Sequence, residues 1–544
     1  MVAEQHVDLV VVGSGVGGLT AAVVAADAGL DVLIVEKSAK LGGVTAVSGG
    51  GVWAPLTRYG AESNPADTAE QVEQHMEFLA AGHGSAAHRR RFVEAAPQAV
   101  HYLADRAGVK WQCIRAHVDN FDPWAPGSVR GCRFLEAAPI SGAELGEWQN
   151  KSMRSKFYEY GLTTGEVLDP SALGAPLPEV IADRQARDVR ANGIGLMAYM
   201  IKAAVVDRRI PALTSARADS LIMDGDRVAG LRAFTADGEV AVHARRGVVL
   251  ATGGYDWNTK YQQEGVPYFG SSTPPTVTGD HLVMAAEIGA AITVLPPLGI
   301  HTEFGYAIPG EEFEGEQLWR WALYEAGSPH AVIVNDQAER FCDESWFYHQ
   351  QPLLREFDSV LRRYTNLPAF LIFDQNHRDQ TPFGPYPPGT ELPSDPFVRS
   401  ETLAGLAAKL GLDAGRLNNT VSRFNQYAAT GVDEQFGRGS KSFVQGFLLP
   451  APEGRVAGLG PIERAPFYGL KLDIGGLGAN QAGLHTDDNA VVQHVRGRPI
   501  QGLYAVGNAA AHLEFGPSYV SGGLIARGLT WGYVAGRHAA GVGS

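Results

Sequence analysis

A tyrosine and a serine stand among glycines near the C-terminus, in the stretch GPSYVSGG at 516–523. The stretch runs directly into a predicted helix, whose first N–H groups have no partner within the helix. A phenol beside a backbone amide could hold an oxygen that gains negative charge, such as that of a ketone losing an α-proton. We therefore predict catalytic roles for Tyr519, Ser521, Gly522 and Gly523, although Ser521 could equally well cap the helix.

The first fifty residues carry the pattern of a dinucleotide-binding fold. An apolar, β-branched run at 8–12 predicts a buried parallel strand, and the spacing Gly13-x-Gly15-x-x-Gly18 follows it directly. An Ala- and Leu-rich helix and a second strand then lead to Glu36. The glycines would admit a pyrophosphate at the helix N-terminus, and Glu36 would accept hydrogen bonds from a ribose.

A second glycine-dense loop, KLGGVTAVSGGGVW at 40–53, favours FAD over NAD. Thr45 and Ser48 could donate to a phosphate, and the three glycines after Ser48 would let a flat ring lie against the backbone. Two later strands run into the segments 251–253 and 507–508, where backbone could also meet the cofactor. The predicted cofactor-binding residues are Gly13, Ser14, Gly15, Gly17, Gly18, Glu36, Lys37, Gly42, Gly43, Val44, Thr45, Ser48, Gly49, Gly50, Gly51, Ala251, Thr252, Gly253, Asp280, Gly507, Asn508, Gly523, Leu524 and Ile525.

These three motifs resemble the FAD-binding domain of the fumarate reductase and succinate dehydrogenase flavoprotein superfamily, over most of residues 5–300 and 465–541. The resemblance implies an α/β fold, with a Rossmann-like FAD-binding domain at 1–298 and 465–544. An α+β substrate-capping domain would be inserted at 299–464. The inserted region is rich in aromatic, proline and charged residues and lacks dinucleotide motifs.

Two segments narrow the chemistry that this resemblance implies. Superfamily members often bind FAD covalently through a histidine in the loop that corresponds to 43–51. This chain has no histidine there, so we expect non-covalent FAD. The fumarate reductases grip dicarboxylates with a C-terminal histidine–arginine segment. Here no arginine precedes the glycines, and Arg527 lies further on inside the predicted helix, so a dicarboxylate substrate is not expected.

The inserted region contains the stretch ERFCDES at 339–345, followed by Tyr348. This pattern resembles the 3-ketosteroid dehydrogenases. In their 1,2-desaturating branch, a tyrosine at the corresponding place takes the proton from the carbon next to the carbonyl. A C-terminal tyrosine and a glycine amide hold the carbonyl oxygen. The resemblance implies that Tyr348 is the base and that Tyr519 holds the oxygen with Gly522 or Gly523.

Departures from that branch leave the position of the new double bond open. The C-terminal loop is one residue shorter here. The pair Tyr519 and Ser521 resembles instead the 4(5)-desaturating branch, in which the tyrosine is the base and the serine its proton relay. A third tyrosine of the 1,2-branch corresponds to the region of Asn120 and Phe121. Because a phenol has an ordinary pKa of about 10, Tyr348 would need a relay, such as another hydroxyl or the adjacent histidine, to act as a base at neutral pH.

We expect an FAD-dependent dehydrogenase that introduces a Cα–Cβ double bond next to the carbonyl of a cyclic ketone, with a 3-ketosteroid as the leading candidate. The alternatives are an ene-reductase, a desaturase of a smaller cyclic ketone, and a flavoprotein without catalysis. The chain has no second GxGxxG motif for NAD(P)H, which disfavours a flavin monooxygenase and implies an external electron acceptor. Aromatic residues that could line an apolar substrate pocket, or equally the interior, are Trp53, Phe121, Trp124, Phe304 and Trp346.

Composition excludes several other classes. The formal net charge is −14 and no basic run reverses it, which disfavours nucleic acid as a partner. The three cysteines are scattered and form no metal-binding spacing, so we predict no metal site. We see neither a secretion signal nor an apolar run approaching about 18 residues. We therefore expect a cytoplasmic protein without an integral membrane segment, with peripheral membrane contact left open.

Overall fold

The computed structural model describes residues 3–158, 160–258, 269–297, 302–445 and 456–542, apart from the side chain of Ala172. The chain divides into two compact units. Unit 1 comprises Met1–Asn258, Thr273–Pro296 and Gly478–Ser544, and unit 2 comprises Thr259–Ser272 and Pro297–Leu477. Both units combine helices with sheets, which confirms the predicted α/β class.

The strands follow in chain order. They are β1 (Ala3–Val12), β2 (Val32–Val35), β3 (Val52–Trp53), β4 (Trp111–Cys113), β5 (Phe134–Ala137), β6 (Ile140–Ser141), β7 (Val189–Arg190), β8 (Ala212–Leu213), β9 (Arg217–Asp224), β10 (Arg227–Thr235), β11 (Gly238–Leu250), β12 (Gly270–Ser271), β13 (Ile292–Val294), β14 (Thr302–Phe313), β15 (Glu316–Trp321), β16 (Ala331–Val334), β17 (Phe357–Asp358), β18 (Arg363–Tyr364), β19 (Ala369–Asp374), β20 (Phe397–Ser400), β21 (Phe467–Gly476), β22 (Ala482–Leu484), β23 (Val491–Gln493) and β24 (Pro499–Ala505).

The α-helices are numbered in the same way. They are α1 (Val16–Asp27), α2 (Gly43–Val47), α3 (Arg58–Ala61), α4 (Ala69–Ala80), α5 (Ala86–Ala107), α6 (Thr164–Leu168), α7 (Leu177–Ala186), α8 (Asn192–Ile201), α9 (Asp280–Glu287), α10 (Leu323–Gly327), α11 (Phe347–Leu354), α12 (Gln375–Arg378), α13 (Leu403–Leu410), α14 (Ala414–Thr430) and α15 (Gly523–Ala540). Within the described ranges, no helix is both long and apolar enough to cross a membrane.

The main sheet of unit 1 brings the glycine-rich segments to one edge. Its strand order is β23-β24-β11-β1-β2-β8, and β1, β2, β11 and β24 run parallel to one another. Parallel neighbours end at the same edge, and ligands of such sheets bind outside their carboxyl ends. The turn after β1 and the segments after β11 and β24 therefore lie side by side, although they are separated by hundreds of residues.

Two helices from opposite ends of the chain cross this sheet in close contact. A Cβ at Gly532 in α15 would overlap the carbonyl oxygen of Gly17 in α1. A Cβ at Gly17 would lie 3.0 Å from the carbonyl oxygen of Gly528. Glycine at these positions lets the two backbones approach, and this contact fixes the start of α15 relative to the first glycine turn.

The main sheet of unit 2 is buried on both faces. Its strand order is β15-β14-β21-β19-β16, and β12 and β20 also pair with β21. Along β16 the side chains alternate: Ala331 and Ile333 join one hydrophobic core, while Val332 and Val334 join the other core, beneath α13 and α14. The run Ala331–Val334 is apolar throughout because a strand covered on both faces needs apolar side chains on each.

The chain positions of the two units differ from those expected. The segment 465–477, assigned from sequence to the FAD-binding domain, lies in unit 2 because β21 pairs with β19 and β14. Residues 269–272 also lie in unit 2, since β12 pairs with β21. The expected boundary between 298 and 299 lies outside the described residues.

The stretch ERFCDES forms a buried ion-pair network in unit 2. Glu344 accepts two hydrogen bonds from the guanidinium group of Arg340, at 2.8 Å each, and one from Arg438 at 3.0 Å. Arg340 also pairs with Asp433 at 2.9 Å. All four side chains are inaccessible or nearly so. This part of the motif therefore has a structural role, because it joins the strand β16 region to the segment after α14.

Candidate active site

The first glycine turn is dictated by close packing of strand and helix. Gly13 follows β1 with φ at +104°, and a Cβ there would overlap the carbonyl group of Ala251. A Cβ at Gly18 would overlap the carbonyl oxygen of Gly13 itself. Neither position accepts a side chain, so the N-terminus of α1 can reach the carboxyl edge of the sheet.

Gly15 faces the second glycine-dense loop across an open space. A Cβ at Gly15 would find Thr45 Oγ1 as its neighbour within 4 Å, at 3.7 Å. The same hydroxyl accepts a hydrogen bond from the N–H of Val16 at 3.3 Å. The N-cap residue of α1 is Gly15, which has no side chain to cap the helix. The Thr45 hydroxyl and the first-turn amides that follow Val16 border this open space and form a suitable cradle for a pyrophosphate.

Glu36 joins this turn to the second loop. Its Oε2 accepts from the N–H and the hydroxyl of Ser14 at 2.9 and 2.6 Å, and its Oε1 accepts from the N–H of Ser38 at 2.8 Å. The Ser14 hydroxyl in turn accepts from the N–H of Gly42 at 3.0 Å. Burial raises the pKa of Glu36, and the three hydrogen bonds oppose that rise. Its contact with a ribose stays a prediction.

Lys37 and Asp280, both predicted to bind the cofactor, form an ion pair. Lys37 Nζ lies 2.9 Å from a carboxylate oxygen of Asp280 and 2.5 Å from Thr278 Oγ1. Both charged side chains remain about one quarter exposed. The pair thus fastens the end of β2 to the start of α9, and its contact with the cofactor stays a prediction.

Ser48 is engaged inside its own loop. Its hydroxyl donates to the carbonyl oxygen of Thr45 at 2.7 Å and accepts from the N–H of Gly50 at 3.2 Å. Gly42 and Gly43 have φ angles of +130° and +52°, which glycine adopts most readily. The next residue along the loop, Val44, packs closely against Gly478, since its Cγ1 would lie 3.1 Å from a Cβ at that glycine.

Each glycine of the segment 49–51 lies against a neighbouring group of the protein that leaves little or no room for a Cβ. A Cβ at Gly50 would overlap the backbone of Asn192, and one at Gly51 would overlap the ring of Phe134. A Cβ at Gly49 would lie 3.4 Å from the hydroxyl oxygen of Tyr158. The sequence indicated the glycines but not the three residues that they contact.

The two remaining strand ends use their side chains within the protein. Thr252 Oγ1 lies 2.9 Å from Nδ1 of His281. Asn508 donates from Nδ2 to the carbonyl oxygen of Gly478. Gly253 and Gly507 have positive φ angles. These strand ends therefore present chiefly backbone to the edge where the cofactor is expected.

The C-terminal loop brings a phenol and an amide together. The N–H of Gly522 hydrogen-bonds to the hydroxyl of Tyr519. Gly522 has φ at +79° and precedes α15, where no side chain of the described residues caps the helix. The N–H of Gly523 donates to the carbonyl oxygen of Val520 at 2.8 Å. Both predicted amides are therefore engaged within the protein: that of Gly522 donates to the phenol oxygen, and that of Gly523 donates within the turn that starts the helix.

The phenol of Tyr519 stays protonated over the ordinary pH range. Burial raises the pKa of Tyr519 to about 12, although the Gly522 amide partly offsets the rise. A protonated phenol is a hydrogen-bond donor, so Tyr519 suits the role of carbonyl donor better than that of base. Leu524 and Ile525 follow in the first turn of α15, whose uncapped amides lie next to this loop.

Ser521 is held by a residue far away in sequence. Its N–H donates to Oδ1 of Asn120 at 2.9 Å, and its hydroxyl accepts from Nδ2 of Asn120 at 3.1 Å. Ser521 therefore does not cap α15, since the capping position belongs to Gly522 and carries no side-chain bond. Asn120 fixes the loop in place, and no local sequence signal identifies this partner 401 positions away.

Two of the five predicted pocket aromatics, Trp53 and Phe304, are interior residues of their units. Trp53 is fully buried, donates from Nε1 to Asp119 at 2.9 Å, and stacks near His75 at 6.0 Å between ring centroids. Phe304 belongs to a core of unit 2 and lies 6.0 Å from the ring of Phe341. Both side chains fill the interior in this structure, and their contact with a substrate stays a prediction.

The remaining pocket aromatics differ in exposure. Trp346 is buried in unit 2, with its ring centroid 6.1 Å from that of Phe443. Phe121 is partly exposed and meets Phe78 at 5.7 Å, and Trp124 is 53% exposed. Phe121 directly follows Asn120, the residue that hydrogen-bonds to Ser521 in the C-terminal loop.

Tyr348 lies in unit 2 at the start of α11 and is buried among aromatic rings. Its ring centroid is 4.4 Å from that of Phe347 and 5.0 Å from that of Trp346. His349, considered as its relay, accepts the N–H of Asp343 on Nδ1 at 3.0 Å, and burial lowers the pKa of this histidine. His349 is therefore a structural acceptor, and the role of Tyr348 as base stays a prediction.

Arg527 is fully buried, and each of its three guanidinium nitrogens donates to an acceptor within the protein. Its guanidinium pairs with Glu514 at 2.5 Å and donates to Asn508 Oδ1 at 3.3 Å. Further bonds go to the carbonyl oxygens of Gly507, Ala510 and Ala511. The segment 512–526 contains no other arginine or lysine. The C-terminal loop thus offers neutral donors, as suits a ketone, and lacks a clamp for a carboxylate.

Comparison with known proteins agrees with this arrangement. A family model described as FAD binding domain matches residues 8–523. The chain is 32% identical to the 4-oxocyclohexanecarboxylate 2-dehydrogenase of Sinomonas cyclohexanicum, covering 98% of this chain and 93% of the relative. It is 30% identical to the 3-oxosteroid 1-dehydrogenase of Mycobacterium tuberculosis strain H37Rv, covering 98% of each.

A solved structure shows the same fold over the whole chain. The crystal structure of 3-ketosteroid Δ1-dehydrogenase from Sterolibacterium denitrificans, in complex with 1,4-androstadiene-3,17-dione, superposes with a TM-score of 0.88. The two chains are 29% identical, and the match covers 99% of this chain and 100% of the other.

The sheet edge, the glycine cradle and these matches define an FAD-dependent oxidoreductase that acts on CH–CH groups. The residues at the cradle fit FAD: the open space between Gly15 and Thr45 suits the pyrophosphate, and Glu36 stands at the end of β2. The chain belongs to the 3-ketosteroid dehydrogenase family, within the fumarate reductase and succinate dehydrogenase flavoprotein superfamily. The resemblance drawn from the sequence is thereby confirmed.

Replacing Gly15 with alanine should weaken FAD binding by about 10- to 100-fold. The added Cβ has room in the protein alone, but it enters the space that the pyrophosphate needs. Flavin content and the dissociation constant from FAD titration of the apoprotein measure this. Gly415→Ala, in the first turn of α14, is the control, since its Cβ would meet Asp413 Oδ1 at 3.3 Å and no cofactor. Equal FAD affinity in both variants would contradict the assignment.

Proposed function

We propose that this protein desaturates a 3-oxosteroid at the Cα–Cβ bond next to the carbonyl group. The observation that carries the proposal is the meeting of the Tyr519 hydroxyl and the Gly522 amide at one point of the C-terminal loop. A ketone oxygen gains negative charge as the α-proton leaves, and the O–H of Tyr519, whose oxygen is held by the Gly522 amide, can donate to it and stabilise that charge. This donor is neutral, which matches a neutral ketone.

The loop is prepared for this role before any substrate arrives. Asn120 holds both polar groups of Ser521, and the carbonyl oxygen of Gly522 accepts the N–H of Trp53 at 3.1 Å. The peptide between Ser521 and Gly522 is therefore held on both sides, and its N–H holds the phenol oxygen of Tyr519. A donor whose position is set by the fold needs no reorganisation during the reaction, and this is the condition under which it lowers the barrier most.

Desaturation removes a proton from the α-carbon and a hydride from the β-carbon, and the product is the conjugated enone. Bound FAD supplies the hydride acceptor for this chemistry. As part of this proposal, the resemblance makes Tyr348, in unit 2, the base that takes this proton. An external electron acceptor completes turnover, since the chain carries no second dinucleotide motif.

A second candidate is the desaturation of a single-ring ketone. It is favoured by the relative named 4-oxocyclohexanecarboxylate 2-dehydrogenase, which is 32% identical. A ring carboxylate calls for a cationic partner, however, and the first arginine that follows the C-terminal loop in sequence, Arg527, is already paired with Glu514. The neutral donors of that loop thus support the steroid proposal over the carboxylate one.

Anaerobic titration of the FAD-loaded protein tests the function directly. A saturated 3-oxosteroid should bleach the flavin absorbance in a 1:1 ratio and yield a product lighter by two hydrogens. The panel should include 4-oxocyclohexanecarboxylate and succinate at equal concentrations. Preferential bleaching by the monocyclic acid would transfer the assignment to the second candidate. Failure of every saturated ketone, with reoxidation of reduced flavin by enones, would identify an ene-reductase and overturn the proposal.

A further inference from the structure

A second tyrosine lies beside the same glycine segment, and the sequence motifs did not indicate it. The hydroxyl oxygen of Tyr158 would be 3.4 Å from a Cβ at Gly49, and its Cζ would be 3.6 Å away. Gly49 opens the segment 49–51, which is where the sequence predicts that a flat ring lies. The side chain of Tyr158 is partly buried.

The backbone around Tyr158 is fastened to this loop. Ser155 is fully buried, and its hydroxyl donates to the carbonyl oxygen of Val47, the last residue of α2, at 3.2 Å. The N–H of Phe157 donates to the same hydroxyl at 3.0 Å. The chain immediately before Tyr158 is therefore tied by hydrogen bonds to the end of α2, and this places its phenol at Gly49.

Tyr158 and Tyr519 approach the same glycine segment from its two ends. Tyr158 lies on Gly49, whereas Tyr519 lies on the N–H of Gly522. Gly522 itself is in close contact with Gly51, since a Cβ at Gly522 would be 3.0 Å from the carbonyl carbon of Gly51. The backbone positions that contact the two phenols are thus separated only by the short run from Gly49 to Gly51.

The two phenols also interact electrostatically. Burial raises the pKa of Tyr158, and the proximity of Tyr158 adds to the rise in the pKa of Tyr519. Ionising one phenol would place a negative charge close to the other, which low-dielectric surroundings oppose. Both hydroxyls are therefore kept protonated and available as donors.

We propose that Tyr158 is a further substrate-contacting residue of the ketone site, and that its hydroxyl donates a hydrogen bond to the bound substrate beside that of Tyr519. The inference rests on the proposed function, because it names a second donor for the same substrate. A tyrosine that merely packed against the loop would make its contact through the ring. Here the hydroxyl oxygen is the Tyr158 atom nearest to the Gly49 position, at 3.4 Å, with the ring carbon that bears it at 3.6 Å, and phenylalanine would leave the place of the hydroxyl empty.

The variant Tyr158→Phe removes this hydroxyl and keeps the ring. We expect kcat/KM for the ketone to fall about five- to tenfold, and the dissociation constant of a bound enone product to rise by a similar factor. FAD content and the absorption spectrum of the ligand-free protein should not change. Tyr160→Phe is the matched control, since Tyr160 is two residues further along and 55% exposed, and it should behave as the parent protein.

A double-mutant cycle with Tyr519→Phe separates a shared substrate from independent packing. If both hydroxyls donate to one bound ketone, the loss in the double variant should differ from the product of the single losses by at least about twofold. Parent-like kinetics and product affinity in Tyr158→Phe would overturn the inference. If the parent protein itself turned over no saturated ketone, the proposed function would fail first, so the two failures are distinguishable.

Discussion

Tyr519→Phe should lower kcat/KM for the ketone substrate by about 100- to 1,000-fold, with FAD still bound. The substitution removes the phenol O–H that donates to the carbonyl oxygen, and with it the oxygen that accepts the Gly522 amide. The loss should appear mainly in kcat, because the oxygen carries most negative charge in the transition state and little in the bound ketone. Steady-state kinetics with an artificial acceptor, together with flavin content, measure the effect.

Tyr504→Phe provides the control for loss of a buried hydroxyl in unit 1. Tyr504 is buried, and its hydroxyl lies 3.0 Å from Nδ1 of His538, toward the other end of α15. It should lose less than about threefold in kcat/KM, since it donates to no substrate. Parent-like turnover by Tyr519→Phe would remove the carbonyl-donor mechanism altogether.

The pH profile distinguishes a donor from a base at Tyr519. A donor acts in its neutral form, which is populated below the pKa. Because that pKa is raised to about 12, the donor form persists throughout the neutral and mildly alkaline range. The profiles of the parent and of Tyr519→Phe should therefore have the same shape up to about pH 10 and differ in height alone. If the substitution abolished an alkaline rise, Tyr519 would be the base.

The sequence predicts those parts of the site that depend on local backbone geometry. Gly13 and Gly18 are required by contacts within the strand–turn–helix unit that they build, so their spacing is informative by itself. The class of fold and the identity of FAD follow from such spacings, and both are confirmed. The sequence could not decide whether the amide of Gly522 or that of Gly523 meets the phenol, because this depends on which amide is used by the first turn of α15.

The sequence does not reveal partners that are brought together by tertiary packing. Asn120 and Tyr158 contact the C-terminal and second loops, respectively, from segments that show no motif of their own. An isolated asparagine or tyrosine has the same local pattern in a loop of any function. The sequence also does not reveal how Trp53 packs: a large aromatic side chain beside a glycine loop is consistent with a pocket, and the structure encloses its indole between Asp119 and neighbouring rings.

Glu344→Ala should reduce the free energy of unfolding by about 3–5 kcal/mol. Glu344 pairs with two buried guanidinium groups, Arg340 and Arg438, and together with Asp433 balances their charge, so its removal leaves one positive charge in the core without compensation. Asp433 can balance one of them, since it already pairs with Arg340 at 2.9 Å. Urea or thermal unfolding of the FAD-loaded protein, followed by far-UV circular dichroism, measures the loss.

The same motif supplies the control and a test by pH. Glu339 belongs to ERFCDES too, but its carboxylate is 63% exposed and 3.9 Å from Arg416, so Glu339→Ala should cost no more than about 1 kcal/mol. Burial alone would raise the pKa of Glu344, but Arg340 and Arg438 outweigh it and the pKa is lowered below its ordinary 4.5. The stabilisation is thus complete above that value and is lost as the pH falls through the lower folded value. Glu344→Ala should lack this acid-sensitive component, whereas Glu339→Ala should keep it; equal costs for the two variants would show that the buried network does not stabilise unit 2.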